Sequence, residues 1–186
     1  MGRDRLKSGE VRRVAGCDLV VGSGTWAYAQ RHRSAILAEF EDQKARHPGY
    51  FNGEIQILLD HCIERDRFTG RFARSDFASF VYWRAHGHED DSVRDGFGCA
   101  VLRSREGHIV LGVQAGGNLN SGRAYFPSGF IDPADVGADG RIDIDGSILR
   151  EIVEETGISP ATLTRRPGYI LVAAGASIAI AAEYVS

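Results

Sequence analysis

The stretch GSILREIVEETGI (146–158) decides how this chain is read. It has strong helix formers through its middle, Ser147 as a candidate N-cap, and Gly157 where a helix ends in the left-handed conformation. At about 3.6 residues per turn, Glu151, Glu154 and Glu155 fall at i, i+3 and i+4, which places three carboxylates on one face within about 5–6 Å of one another. Like charges so close repel. The arrangement makes physical sense when a dication or a guanidinium lies among them. Arg150 stands at i+4 from Glu154 and is expected to neutralise it, while Ile148, Val153 and Ile158, with Leu149 and Ile152, are expected on the core side. Without its neighbours, EIVEE reads as an ordinary solvated helical face.

The neighbours change that reading. REIVEETGI (150–158) resembles the second half of the Nudix box, G-x5-E-x7-R-E-U-x-E-E-x-G-U with U a bulky aliphatic, and matches every specified position of that half. Upstream, Gly129 followed by FIDPA and then Asp135 is similar to the G-x5-E part, with Asp135 in place of the usual glutamate. Between Asp135 and Arg150 stand 14 residues where the family has seven, so VGADGRIDIDGSIL carries an insertion in the loop before the helix. A loop of this kind lengthens at little entropic cost.

The resemblance implies an α/β (α+β) fold of the Nudix type, an α/β/α sandwich. It also implies Mg2+ or Mn2+ as cofactor and hydrolysis of a nucleoside diphosphate linked to another group, such as a nucleotide sugar. Carried over by position, Glu151, Glu154 and Glu155 are the metal ligands, Gly129 offers its backbone carbonyl to the metal, and Arg150 is the orienting salt-bridge residue. Glu154, Arg150 and Glu151 are the catalytic set. Oxygen-only ligands suit a hard cation that bridges phosphate oxygens. YFNG (50–53) and the FTGRFARSDFASF segment after it are similar to the N-terminal extension of family members acting on sugar nucleotides or related diphosphates. Just ahead of Gly129, Arg123 is a candidate phosphate contact and Tyr125 and Phe126 are candidate stacking residues. Local strand packing explains the same three residues equally well.

The wider composition agrees with a small anionic ligand held through metal. A formal charge of −3 over 186 residues provides no overall basic field to recruit nucleic acid. No apolar segment reaches secretory or membrane-spanning length, so cytoplasmic residence without membrane attachment is the expectation. Cys17, Cys62 and Cys99 lack zinc-site spacing and an even number, and are read as reduced core thiols. His86 and His88 have no third ligand nearby, and DIDG (143–146) fails the register of a calcium loop.

Along the chain, the polar run HGHEDDSVRD (86–95) divides an N-terminal α/β extension, residues 1–90, from the candidate hydrolase domain, residues 91–186. Expected elements are a strand over 13–22, a helix over 25–47 ended by His47-Pro48-Gly49, a strand over 54–64, and a helix over 75–86. A hairpin is expected from 96–104 and 108–115 around Arg105-Glu106-Gly107, and one or two strands over 167–186. The residues between Ala173 and Ala182 look too small to form a core by themselves.

Only 28 residues follow Ile158, fewer than the family carries after its box, and the single acid among them is Glu183. A late-loop carboxylate role therefore falls to Glu183 or is vacant. A shortened sandwich is expected to expose apolar surface such as Tyr169–Val172, and three explanations stand side by side: a fragment without activity, completion by a homo-oligomer partner, or a module that binds metal and nucleotide without turnover.

Overall fold

Strands β1 (Val11–Val14) and β2 (Gly16–Val21) follow one another directly, yet they enter different sheets. The computed structural model describes residues 4–113 and 122–186. After β2 come α1 (Ala27–Arg31), α2 (Arg33–Arg46), β3 (Glu54–Glu64), β4 (Arg67–Asp76) and α3 (Phe77–Ala85). The second half holds β5 (Asp95–Arg103), β6 (Ile109–Val110), β7 (Gly112–Val113), β8 (Ala124–Tyr125) and β9 (Ser128–Phe130). It continues through α4 (Ile144–Thr156), β10 (Thr164–Arg165), β11 (Tyr169–Ala174) and β12 (Ser177–Val185). The fold is mixed α+β, with several sheets and few helices. No described helix is long and apolar enough to cross a membrane.

The main sheet runs β1-β11-β12-β5-β6, with β9 also paired to β5 and β10 to β12. Strands β12 and β5 are parallel, while the other pairs are antiparallel. Alternation sorts its side chains. Ile178, Ile180, Ala182 and Tyr184 of β12 lie beside Gly96, Gly98, Ala100 and Leu102 of β5 and face the main core, where α4 packs through Ile144, Ile148 and Ile152. A Cβ on Gly98 would run into Ile148, and one on Gly96 into Phe72. The small residues of the C-terminal strands thus make room for large ones opposite. The residues between Ala173 and Ala182, small by themselves, enter a core because β12 is a central strand whose partners bring the bulk.

A second sheet, β2-β4-β3, lends Leu19, Leu58, Phe68 and Phe72 to the same core. The sequence boundary at 90/91 therefore does not divide this core, and β1 crosses it by pairing Val11–Val14 with Val172–Tyr169. The polar run at 86–95 is anchored at two points, with Val93 buried and Asp90 accepting the Trp26 indole N–H at 2.8 Å.

Several local readings need correction. The 13–22 strand is two strands, because the chain leaves the main sheet at Ala15, whose N–H bonds Asp66. The 25–47 helix breaks at His32, and strand β4 runs to Asp76, which caps α3 through the Ser79 amide at 2.8 Å. The hairpin at Arg105-Glu106-Gly107 is present, pairing Leu102 with Val110 and Arg103 with Ile109; residues 114–115 of its second strand lie outside the described residues. The edge expected to stand open at Tyr169–Val172 is covered by β1, and Leu171 is fully buried. The three cysteines are free, with Cys99 buried and Cys17 and Cys62 half-buried.

Candidate functional site

The acidic helix starts earlier than its sequence signals say. Asp143 caps α4, accepting the Gly146 N–H at 2.9 Å, and Ser147 sits one turn inside with its hydroxyl buried and unpartnered. The extra turn buries Ile144 in line with Ile148 and Ile152, and Val153 turns outward at 43% exposure. Gly157 closes the helix at φ 70°, a conformation in which a side chain is strained.

The insertion is a closed loop. Gly137 N–H bonds Arg141 C=O, Asp143 N–H bonds Asp135 C=O at 2.8 Å, and Val21 and Ile142 tie the loop to β2. Its two ends therefore meet, so Asp135 stands at the start of α4 despite the added residues. Asp132 and Asp135 cap each other across the short turn Pro133–Asp135.

Arg150 is the hub of the cluster. Its guanidinium contacts Glu151 at 2.8 Å and Asp135 at 2.9 Å, then Asp132 at 3.4 Å and Glu154 at 3.8 Å. The expected pairing with Glu154 is thus the longest of the four contacts. The reason is burial: the Asp135 and Glu151 side chains are 5% and 10% exposed, so their charges have the greater need of a partner, whereas Glu154 is 59% exposed and solvated. Burial opposes the charge of Arg150, and the surrounding carboxylates outweigh it and hold the guanidinium protonated.

Glu151 lies against Gly129 on β9, where any Cβ would collide with its carboxylate. Burial first, and then the nearby Glu154 and Glu155, push the Glu151 carboxyl up to about 7 against the pull of Arg150. Glu155 accepts the Tyr125 hydroxyl at 2.8 Å and the Ser128 N–H at 3.0 Å. Burial and this bond raise the Tyr125 phenol to about 12.

The structure therefore brings together Gly129, Asp135, Arg150, Glu151, Glu154, Glu155 and Tyr125. It does not bring in Glu183, which bonds Arg103 at 3.0 Å on the face of β12 turned away from α4. Of the two outcomes the sequence left open for a late acid, Glu183 or a vacancy, this position speaks against Glu183. Arg123 is exposed and Phe126 half-buried; among the described residues no ion pair joins Arg123 to the helix carboxylates. The chain matches no family model and no curated protein.

The donor set is chemically suited to a hard cation, since it is all oxygen and one buried carboxylate is pressed onto a glycine. As they stand, the carboxylates are turned to Arg150, Tyr125 and the Ser128 amide, and among the described residues no three acidic, histidine or cysteine side chains form a metal-holding group. Sequence reasoning missed Asp132, which was detectable as the acid preceding Pro133, a common start to a capped turn.

Proposed function

We propose that the protein is a Nudix-type, metal-dependent hydrolase that cleaves the diphosphate of a nucleoside diphosphate linked to another group. The observation that carries this reading is the meeting of Asp135, Arg150, Glu151 and Gly129, which joins both halves of the interrupted motif across its insertion. An α4-covered mixed sheet supports the sandwich reading of the fold.

Glu151, Glu154 and Glu155, with the Gly129 carbonyl, are the residues that would hold Mg2+ or Mn2+. When bound, such a cation offsets charge on the diphosphate oxygens. Arg150 fixes Glu151 in orientation and keeps Asp135 from standing as an uncompensated buried charge. Glu154, exposed and the farthest of the four carboxylates from Arg150, would take the proton of the attacking water. The oxygen of that water bonds to one phosphorus as the bridging P–O bond breaks, giving a nucleoside monophosphate and a phosphorylated product.

A second reading, metal and nucleotide binding without turnover, is favoured by one observation. Glu155 already commits both oxygens to Tyr125 and Ser128. Incubation with a panel of nucleoside diphosphate conjugates and Mg2+ or Mn2+ separates the two. Release of nucleoside monophosphate that chelation abolishes and Glu154→Gln removes supports the hydrolase. Metal-dependent binding without product leaves the second reading, and product formation unaffected by chelation contradicts both.

A further inference from the structure

A cavity of about 780 Å³ opens between α3 and the outer face of the main sheet, the face opposite α4. Its floor is β5, where Asp95 and Phe97 point the same way, flanked by Ser177 of β12 and by Phe130 of β9. Its wall is Phe80 of α3, whose ring meets Phe130 edge to face at 4.8 Å. The cavity is thus an aromatic-lined slot with a carboxylate on its floor and Arg84 and His88 of the α3 side at its margin.

That carboxylate is half-buried on the sheet face. Ser177 donates to Asp95 Oδ2 at 3.3 Å, a long bond, and the charge of Arg84 acts on it from α3. Burial dominates both effects and pushes the Asp95 carboxyl up to about 6. A desolvated acceptor of this kind gains most from a ligand that brings hydrogen-bond donors.

The slot also has a direction. Gly98 of β5 pairs with Gly129, so Asp95 lies three residues from the glycine turn, about 10 Å along a strand. That is the order of the reach of a nucleoside from base edge to first phosphate. Tyr125 and Ser128 line the cavity and hold Glu155 at the other end. An aromatic ring at the Asp95 end therefore directs its substituent along the strand toward Tyr125 and Ser128, the two residues that bond Glu155.

We propose that this cavity seats a nucleobase bearing an exocyclic amino group, with Asp95 accepting from that group and Phe97, Phe80 and Phe130 packing around the ring. Bases that present a carbonyl oxygen there, such as uracil, meet a carboxylate oxygen and are rejected. The direction toward the diphosphate rests on the hydrolase reading, whereas the base slot itself does not.

The test uses nucleosides without phosphate, in chelator, so that it is independent of metal and catalysis. Calorimetry on the wild-type protein compares cytidine with uridine and guanosine with inosine, pairs in which only the first member carries an amino group. The amino-bearing member is expected to bind about tenfold tighter or more. Asp95→Asn is expected to bring each pair within about twofold, and Phe97→Leu to weaken all four alike. Equal affinities within the wild-type pairs, or no binding of any of the four, overturns the proposal without need of a variant. Discrimination without hydrolysis of any conjugate overturns only the hydrolase reading. Hydrolysis of cytidine and uridine conjugates at equal efficiency overturns only the base slot.

Discussion

Of the two cations the sequence allows among the crowded carboxylates, a dication or a guanidinium, Arg150 supplies the second and keeps them together. Removing it in Arg150→Ala leaves Asp135 and Glu151 with 5% and 10% exposed side chains and no cation. A loss of about 3–5 kcal/mol is expected by urea unfolding, with Arg150→Lys intermediate because an ammonium cannot fork between two partners. Glu151 makes a pH prediction. Its ordinary value is 4.5 and the fold raises it to about 7. Below pH 4.5 both states are protonated and nothing is lost. Between pH 4.5 and 7 the unfolded chain releases this proton while the native state keeps it, so stability falls as pH rises, by up to on the order of 3 kcal/mol. Thermal melts should show that slope, and Glu151→Gln should flatten it. Mg2+ should raise the melting temperature at pH 8 and leave it unchanged at pH 5; a slope that persists in Glu151→Gln would count against this assignment.

At the scale of the element, α4 was legible from Ile148 to Gly157 because heptad-like spacing, helix propensity and a terminal glycine all agree there. Its start was not, because Ser147 imitates a cap while Asp143 hides in DIDG, a run that reads as loop. The structure separates the two by chemistry: Asp143 accepts an amide, and the Ser147 hydroxyl is buried without a partner. Asp143→Ala should cost about 1 kcal/mol in denaturant unfolding. Ser147→Ala should be neutral or stabilising, since it removes an unsatisfied buried group. The reverse ranking would restore the sequence reading. The alanine-rich β12 was illegible for another reason. Its worth comes from Ile148, Leu171 and Phe72 packed nearby, and no local pattern reports side chains that far away in sequence.

At the scale of the whole molecule, the insertion and β1 are the two features that sequence spacing could not place. The extra residues fold into a loop whose ends are tied by Asp143 and Asp135, so the motif's halves rejoin. Strand β1 closes the edge of β11, pairing residues more than 150 positions apart. Pairing at that separation leaves no trace in periodicity, whereas the hairpin at Arg105-Glu106-Gly107 does. Glu183 failed as a site residue for the same reason, since strand register decides which face it occupies. The central claim is that the face of α4 carrying Glu151, Glu154 and Glu155 holds a divalent ion. It is tested most directly by titrating the protein with Mn2+ at pH 8 and following the free ion by electron paramagnetic resonance. The account predicts that wild-type protein depletes the free Mn2+ signal saturably, and that Glu151→Gln and Glu155→Gln each weaken this at least about tenfold. A free-ion signal undiminished by wild-type protein, or depleted by both variants as strongly as by wild type, would contradict it.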